Sequence, residues 1–481
     1  MPEKQPQRVV IIGGGISGLA AAHRLAELNE KEKLSLEIIL LEVGARPGGV
    51  ISTARREDFL LERGPDAFIS EKPAALNLAR RIGLENHLIE TNTAHRRSFI
   101  ARGCKLLPVP EGFQLLAPSS FRPFLTSEIF SWQGKARMAL DLLLPRRAGA
   151  NGNDDESLAD FVRRRLGQEA LERVAQPMVG GIYTADPEKL SLRATMPRFL
   201  EMEREHRSLI RAMWRARRKQ SKAEARGTSG ARYSLFLSFQ NGMQTLADAL
   251  VARLPAGSLR LKTKAKALSF NQASKRWQIQ TDEGEAIEAA AVCLALPAYA
   301  AAGLLREMDA NLSVELDAIP YASTATVNLA YKRSSIPHPL NGFGFVVPFV
   351  ERRATLACSF SSVKFAARAP EGHVLLRAFV GGALQPEMFA LDEEAMVAAV
   401  RRDLRELLGI ENPPLFSLAH KWPRSMAQYH LGHTARIASI RERLSAFPTL
   451  QLAGNAYAGA GIPDCIRSGE AAADSIFLKL K

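Results

Sequence analysis

The chain has 481 residues, more than one hydrophobic core ordinarily organises, and two or three domains are expected. Its 46% hydrophobic and 24% charged residues are those of a globular protein in water, and Cys104, Cys293, Cys358 and Cys465 form no C-x-x-C pair, which argues against a metal site or disulfide framework and for a reducing compartment. The net charge of +14 suits an anionic substrate or an anionic bilayer; no nucleic-acid motif accompanies it, so nucleic acid is not expected as a partner.

Residues 1–8 are polar and no apolar run reaches the length of a membrane span, so neither a signal peptide nor a transmembrane helix is expected. Val9, Val10, Ile11 and Ile12 then make a short branched apolar run of the kind buried in a parallel sheet, followed at once by Gly13-Gly14-Gly15-Ile16-Ser17-Gly18. In this spacing Gly13 allows a tight turn, Gly15 lets a pyrophosphate approach the backbone, and Gly18 lets a helix over 16–28 pack on the sheet. The start of that helix, at Ile16 and Ser17, offers free N–H groups and a positive dipole end to phosphates. Glu42, at the tip of a second strand over 37–41, can accept hydrogen bonds from a ribose diol. Together these elements predict a bound dinucleotide without saying which.

Arg46, Gly48 and Gly49 add an arginine and a glycine pair beside the first turn, a second close backbone approach that a nicotinamide alone does not need. The segment resembles that of the FAD-binding amine oxidase and protoporphyrinogen oxidase superfamily, whose Arg-x-Gly-Gly lies against the FAD pyrophosphate. Gly64, Pro65 and Asp66, in a strand and turn over 58–68, resemble the Glu-x-Gly-Pro element that follows in the same superfamily. A helix over 77–83 comes next and reads as packing.

Arg96 and Arg97 precede a strand and a turn that runs to Gly112. Residues 113–144 are rich in Phe, Leu and Pro, among them Leu115, Leu116, Phe124 and Trp132, with Lys135, Arg137, Arg146 and Arg147 close by. Three readings fit: a shallow monotopic anchor in a bilayer, a wall for an apolar ligand, or a helical subdomain with its own core. A polar linker over 149–155 leads to a helix that opens at Ser157 with a capping-box spacing to Asp160. Gly180, Gly181 and Thr184 fall in a stretch read as a glycine turn before a new helix. Residues 198–232 read as a charged amphipathic helix, with a basic face open to a membrane surface, that ends in a loose loop over 222–230.

A loop at 239–245 feeds a helix, strands alternate from 259 to 281, and a buried strand over 289–295 follows. Ala265 stands where the superfamily usually has valine on the adenine side. Strands over 324–331, 344–348, 355–360 and 374–380 read as a second sheet, and 392–408 as an amphipathic helix. Trp422 lies in a Trp-Pro-x-Ser-Met segment; His430 and His433 nearby lack a third ligand, so no metal is expected. Gly454, Asn455, Gly461, Ile462, Pro463 and Ile466 lead into an alanine-rich helix whose start can meet the pyrimidine edge of a flavin.

The Gly-Gly-Ile-Tyr-Thr-Ala-Asp-Pro, Trp-Pro-x-Ser-Met and Gly-Ile-Pro-Asp-Cys segments make the resemblance specific to flavin-dependent protoporphyrinogen oxidases over nearly the whole chain. The resemblance implies a mixed α/β fold: a discontinuous Rossmann-like FAD-binding domain (1–90, 231–300, 447–481), a mixed-sheet substrate domain (91–108, 195–230, 301–446), and a helical subdomain (109–194) with a potential membrane-associating surface. It implies six-electron oxidation of protoporphyrinogen IX at FAD, with dioxygen as acceptor and the cofactor carrying the chemistry, so no catalytic side chain is assigned. Arg97 resembles the family arginine that pairs with a propionate, with Arg96 as the alternative. Gly344, Val346, Phe365 and Phe379 are expected as pocket walls, and Gly180, Gly181 and Thr184 as a backbone contact. Further expectations are cytoplasmic location, peripheral contact with the cytoplasmic membrane face, handover to a chelatase and a homodimer. Coproporphyrinogen III as substrate, an amine oxidase, and a flavin-binding subunit without turnover are the alternatives.

Overall fold

The computed structural model describes residues 6–481 apart from 111–112, 115–116, 119–120, 148–154 and 226–234. The expectations for Gly112, Leu115, Leu116, most of the 149–155 linker and the end of the 222–230 loop therefore lie outside the described residues.

Gln7–Ile12 becomes the middle strand of a five-stranded parallel sheet. Leu36–Leu41 and Ala291–Leu294 flank it, with Leu259–Arg260 and Leu450–Leu452 at the edges. Alternate residues of these strands enter two different cores: Val9, Ile11, Ile38, Leu40 and Cys293 face one, while Val10, Ile12, Ile39, Leu41 and Leu294 face the other. Burial on both faces is why the strands read as unbroken apolar runs. The first helix, Ile16–Glu32, and the last, Ile462–Leu480, lie together on one face. A Cβ on Gly469 would stand 2.1 Å from the Ser17 carbonyl oxygen, so this glycine sets how closely the two helices meet.

A second sheet has seven strands in the order Phe416–Ala427, Tyr321–Lys332, His373–Gly381, Thr355–Phe360, Gly344–Val346, Phe99–Arg102 and Lys105–Pro108. All neighbours are antiparallel except Gly344–Val346 with Phe99–Arg102. Helix Glu393–Leu408 covers one face through Met396, Val400 and Leu404; Asp392 caps its start and Gly409 its end.

A block of short helices packs against the second sheet. Phe124, Ile129, Phe130 and Met138 are buried in a core shared with Phe161, Val174 and Phe199, while Leu125, Trp132, Leu140 and Leu143 stay exposed. The segment around 121–143 is thus a packed subdomain with an apolar fringe. Ser157 accepts from the Asp160 N–H at 3.0 Å and donates to the Asp160 carboxylate at 2.8 Å, as its spacing predicts. Two expectations change here. Gly180 and Gly181 sit inside helix Gln176–Tyr183, and the turn falls at Thr184, in the left-handed region at φ +49°. The 198–232 helix is broken at Arg207 into Pro197–His206 and Leu209–Ala225, and both pieces pack with the helical block. The break frees the Arg207 carbonyl, which accepts from buried Arg165 at 2.6 Å.

Candidate functional site

At the head of the parallel sheet the chain turns at Gly13, with φ +112° and no room for a Cβ, which would lie 2.3 Å from the Ala295 oxygen. Gly18 is equally constrained: its Cβ would stand 1.9 Å from the Gly13 oxygen. Gly15 differs. A Cβ there would meet nothing within 4 Å, and Gly15 is the N-cap of the first helix with no side chain capping it. Open space thus lies directly before the unfilled N–H groups of a helix start, where a pyrophosphate fits. The second glycine turn closes one side. Gly48 donates to the Gly14 carbonyl at 2.8 Å, and Gly49, at φ +58°, approaches Gly15.

The Glu42 carboxylate accepts from Gly14 N–H and Gly44 N–H, each at 2.7 Å, through different oxygens. It therefore shapes both turns and keeps further lone pairs for a ribose hydroxyl. The backbone of 258–263 runs alongside, with Thr263 N–H donating to the Glu42 carbonyl at 3.0 Å and half-buried Ala265 just beyond. Arg46 also has contacts within its own loop. Its guanidinium donates to the carbonyls of Pro47, Ile51 and Gly49 at 3.1, 2.8 and 2.7 Å, so it braces the glycine loop.

At the opposite end of the chain, Gly454 has φ +141° and its N–H reaches Ser468 Oγ at 3.2 Å. Asn455 Nδ2 donates to the Ser425 carbonyl at 3.0 Å, and the Tyr429 hydroxyl donates to the Asn455 carbonyl. Gly461 is the N-cap of the last helix, again without a side-chain cap, and Pro463 in the first turn has no N–H to satisfy. Ile462 and Ile466 are buried beneath it. The Asp464 carboxylate, which would oppose negative charge at this helix start, is paired with Lys72 and Arg467. Two uncapped helix starts, one at each end of the sequence, thus come together on helices that touch at Ser17 and Gly469, and the residues present fit FAD.

Between the two sheets runs a buried polar network that single motifs do not reveal. Arg377, in the middle of the apolar strand His373–Gly381, donates to the Gly64 carbonyl at 2.8 Å and pairs with Asp66 at 3.2 Å. Lys364 joins Asp66 at 3.0 Å, and Trp422 Nε1 donates to the Arg63 carbonyl at 2.8 Å. Asp66 and Trp422 therefore bind the Gly64–Pro65 loop to the second sheet. Burial alone would raise the Asp66 carboxyl, but Arg377 and Lys364 outweigh it and hold the group well below the usual carboxylate range. One signal for Arg377 was available: a cation breaking an otherwise apolar strand.

Glu62, 4% exposed, accepts from Met243 N–H at 2.7 Å and Thr53 Oγ1 at 2.9 Å. Burial pushes its carboxyl up to about 7 despite those donors. A raised carboxyl stabilises the fold while protonated, so its contribution is full below the unfolded value of about 4.3 and is lost as pH rises through about 7. Between about pH 5 and 8 the melting temperature of the flavin-loaded protein is expected to fall, and Glu62→Gln is expected to flatten that dependence; equal slopes in both proteins would contradict the assignment.

The expected substrate residues divide. Val346 is half-buried and lies 3.9 Å from a Cβ position on Gly181, which brings those two together. Thr184 lies beside them, its carbonyl accepting from Ala383 N–H at 2.8 Å. Phe379 is half-buried, with the Arg377 guanidinium 4.7 Å from its ring centre. Two of the expected wall residues are buried. Phe365 is 1% exposed, between Lys364 and Arg368. Gly344 packs against the neighbouring strand, where a Cβ would come 2.1 Å from the Cys358 oxygen. Arg96 and Arg97 are exposed at the entry to Phe99–Arg102, and the Arg97 carbonyl accepts from Phe343 N–H at 2.8 Å. Among the described residues no three His, Cys, Asp or Glu side chains gather to hold a metal, and no helix is long and apolar enough to cross a membrane.

The chain is matched over residues 16–477 by the model of the flavin containing amine oxidoreductases, and it belongs to that family. Its cofactor is FAD. Within the family it is 36% identical to a coproporphyrinogen III oxidase of Bacillus subtilis, with 97% of each chain covered. It is 32% identical to a chloroplastic protoporphyrinogen oxidase of Oryza sativa, over 97% of this chain and 87% of that one. A crystal structure from Exiguobacterium sp. 255-15, provisionally named a protoporphyrinogen oxidase, superposes with a TM-score of 0.85 at 32% identity, covering 98% of this chain and 99% of that one.

Proposed function

We propose that the protein oxidises a porphyrinogen to the porphyrin at FAD in heme biosynthesis, with coproporphyrinogen III as substrate. The observation that carries the reading is the Arg96–Arg97 pair. Both side chains are exposed, and among the described residues neither guanidinium has a hydrogen-bond or ion-pair partner. They precede Phe99–Arg102, the strand whose neighbour supplies Val346. Two free cations suit a substrate with four propionates better than one with two. The 36% identity to the bacterial coproporphyrinogen III oxidase supports the same choice and moves protoporphyrinogen IX, first in the sequence reading, to second place.

FAD when bound supplies the two-electron acceptor, and three rounds with dioxygen balance the reaction: porphyrinogen and three O2 give porphyrin and three H2O2. The chain's own work is placement. Val346, Phe379 and the Cβ-free face of Gly181 offer a flat apolar surface to a macrocycle, and Arg96 and Arg97 hold its carboxylates by charge-assisted hydrogen bonds. The start of Ile462–Leu480 directs N–H groups to the side where negative charge develops on the ring. The 417–427 and 454–455 backbone, joined by Asn455 and Tyr429, keeps that loop in position.

Arg97→Ala is expected to raise KM for coproporphyrinogen III by about tenfold or more and to change kcat little, since a lost charge-assisted hydrogen bond is worth about 1.5–3 kcal/mol. Steady-state porphyrin fluorescence reads both constants. An unchanged KM for both porphyrinogens would remove the propionate role.

A further inference from the structure

Outside the flavin region the molecule carries a cleft of about 840 Å³ between the outer strand of the second sheet and the first helices of the helical block. Arg102, Lys105 and Leu107 line it from the sheet; Leu125, Trp132 and Lys135 line it from the helices. None of them belongs to the site described above. The volume falls within the range of about 300–1,000 Å³ typical of small-molecule sites.

Its chemistry is mixed in a particular way. Three cations and a single acid, Glu128, line the cleft, and among the described residues none of the three cations forms an ion pair. Two are fixed in place through backbone contacts. Arg102 donates to the Glu128 carbonyl, and Lys135, only 7% exposed, donates to the Leu125 carbonyl at 2.7 Å. The Lys135 ammonium also sits 4.3 Å above the Trp132 ring. Among the described residues no carboxylate pairs with these three cations, so an anion that enters the cleft meets positive charge that backbone carbonyls and an indole face only partly offset. Trp132, 72% exposed, and Leu125, 42% exposed, leave apolar surface next to those charges. Lone exposed apolar residues are unremarkable, but here an indole and a leucine border three cations that have no ion-pair partner among the described residues.

We propose that this cleft is a second, non-catalytic site for a small molecule with a flat or branched apolar body and at least one carboxylate or sulfonate. Its apolar body lies against Trp132, Leu125 and Leu107, and its anionic group meets Arg102, Lys105 and Lys135. Tetrapyrrole carboxylates and fatty-acid carboxylates both have this chemistry.

The test is a titration of the flavin-loaded full-length protein with 8-anilinonaphthalene-1-sulfonate. One saturable equivalent is expected. Lys105→Glu, a surface change outside the flavin site, is expected to weaken that binding at least tenfold with porphyrinogen turnover unchanged, and Trp132→Ala to weaken it similarly. Arg97→Ala is expected to leave dye binding as it is, which separates this cleft from the catalytic site and keeps the result independent of the proposed activity. Displacement by coproporphyrin III assigns the site to tetrapyrroles, and displacement by laurate to aliphatic anions. Dye binding that Lys105→Glu does not alter, that Arg97→Ala abolishes, or that neither competitor displaces would overturn the proposal.

Discussion

Gly15→Ala is expected to lower FAD affinity by about a hundredfold or more while leaving the apoprotein folded. The two effects separate because of where this glycine sits. A methyl on Gly15 would meet no protein atom within 4 Å, and its backbone is not in the left-handed region, at φ −70°. Alanine is therefore compatible with the local conformation, and its smaller unfolded-state entropy even favours the fold slightly. The same methyl would stand in the open space directly before the N–H groups of Ile16–Glu32, where a pyrophosphate is expected to lie. Losing that approach, at about 3 kcal/mol, corresponds to roughly two decades in binding. Gly18→Ala makes the contrast, because its methyl would lie 1.9 Å from the Gly13 oxygen and must disturb the turn itself. Flavin absorbance per protein and far-UV melting of the apoprotein distinguish the two. A Gly15→Ala protein that retains full flavin at micromolar concentration would refute the assignment.

Arg165→Ala is expected to destabilise the protein by about 3–5 kcal/mol, the usual cost of stranding one member of a buried pair. Arg165 and Asp141 are both 0% exposed. Arg165 Nε reaches Asp141 Oδ1 at 2.7 Å, and its other nitrogens donate to the carbonyls of Asp141, Pro145 and Arg207. On the far side, Ser208 Oγ and Ile210 N–H donate to Asp141 Oδ2 at 2.7 and 3.1 Å. One guanidinium thus ties together the helices at 140–142, 158–165 and 209–225. Its removal leaves a buried carboxylate with hydrogen bonds but no counter-charge. Replacing both partners, as Arg165→Met with Asp141→Leu, is expected to recover part of the loss. Chemical denaturation of the three variants measures this; a single-variant loss below about 1 kcal/mol would show that the pair does not hold the block.

The parts of this architecture that sequence revealed are those whose signal is local. Val9 to Ile12, the glycines at 13, 15 and 18, and Glu42 fall within one strand-turn-helix-strand unit, so their spacing states their geometry. The last helix was equally readable, because Gly461 and Pro463 mark its start. What stayed hidden depends on side-chain direction and on partners far along the chain. The spacing around Arg46 does not specify that its guanidinium donates to carbonyls of its own loop and to Gln244. Phe365 and Phe379 are the same residue type in neighbouring elements, but one is sealed between cations and the other borders Arg377 at the sheet surface. Gly180 and Gly181 read as a turn because glycine weakens helices; tertiary packing near Val346 overrides that tendency and places the turn one position after Tyr183. The Asp66, Lys364 and Arg377 network could be suspected only from a lone arginine in an apolar strand, and its pairing with Asp66 could not.

The central claim is that a porphyrinogen is oxidised at an FAD held between the two ends of the chain. It is tested most directly by mixing the flavin-loaded protein in air with coproporphyrinogen III or protoporphyrinogen IX, recording porphyrin fluorescence and oxygen uptake together. The expected result is fluorescent coproporphyrin with about three O2 consumed per porphyrin, and a kcat/KM about tenfold or more above that for protoporphyrinogen IX. Faster turnover of protoporphyrinogen IX would reverse the substrate choice; no porphyrin from either, with the flavin remaining oxidised, would contradict the activity itself.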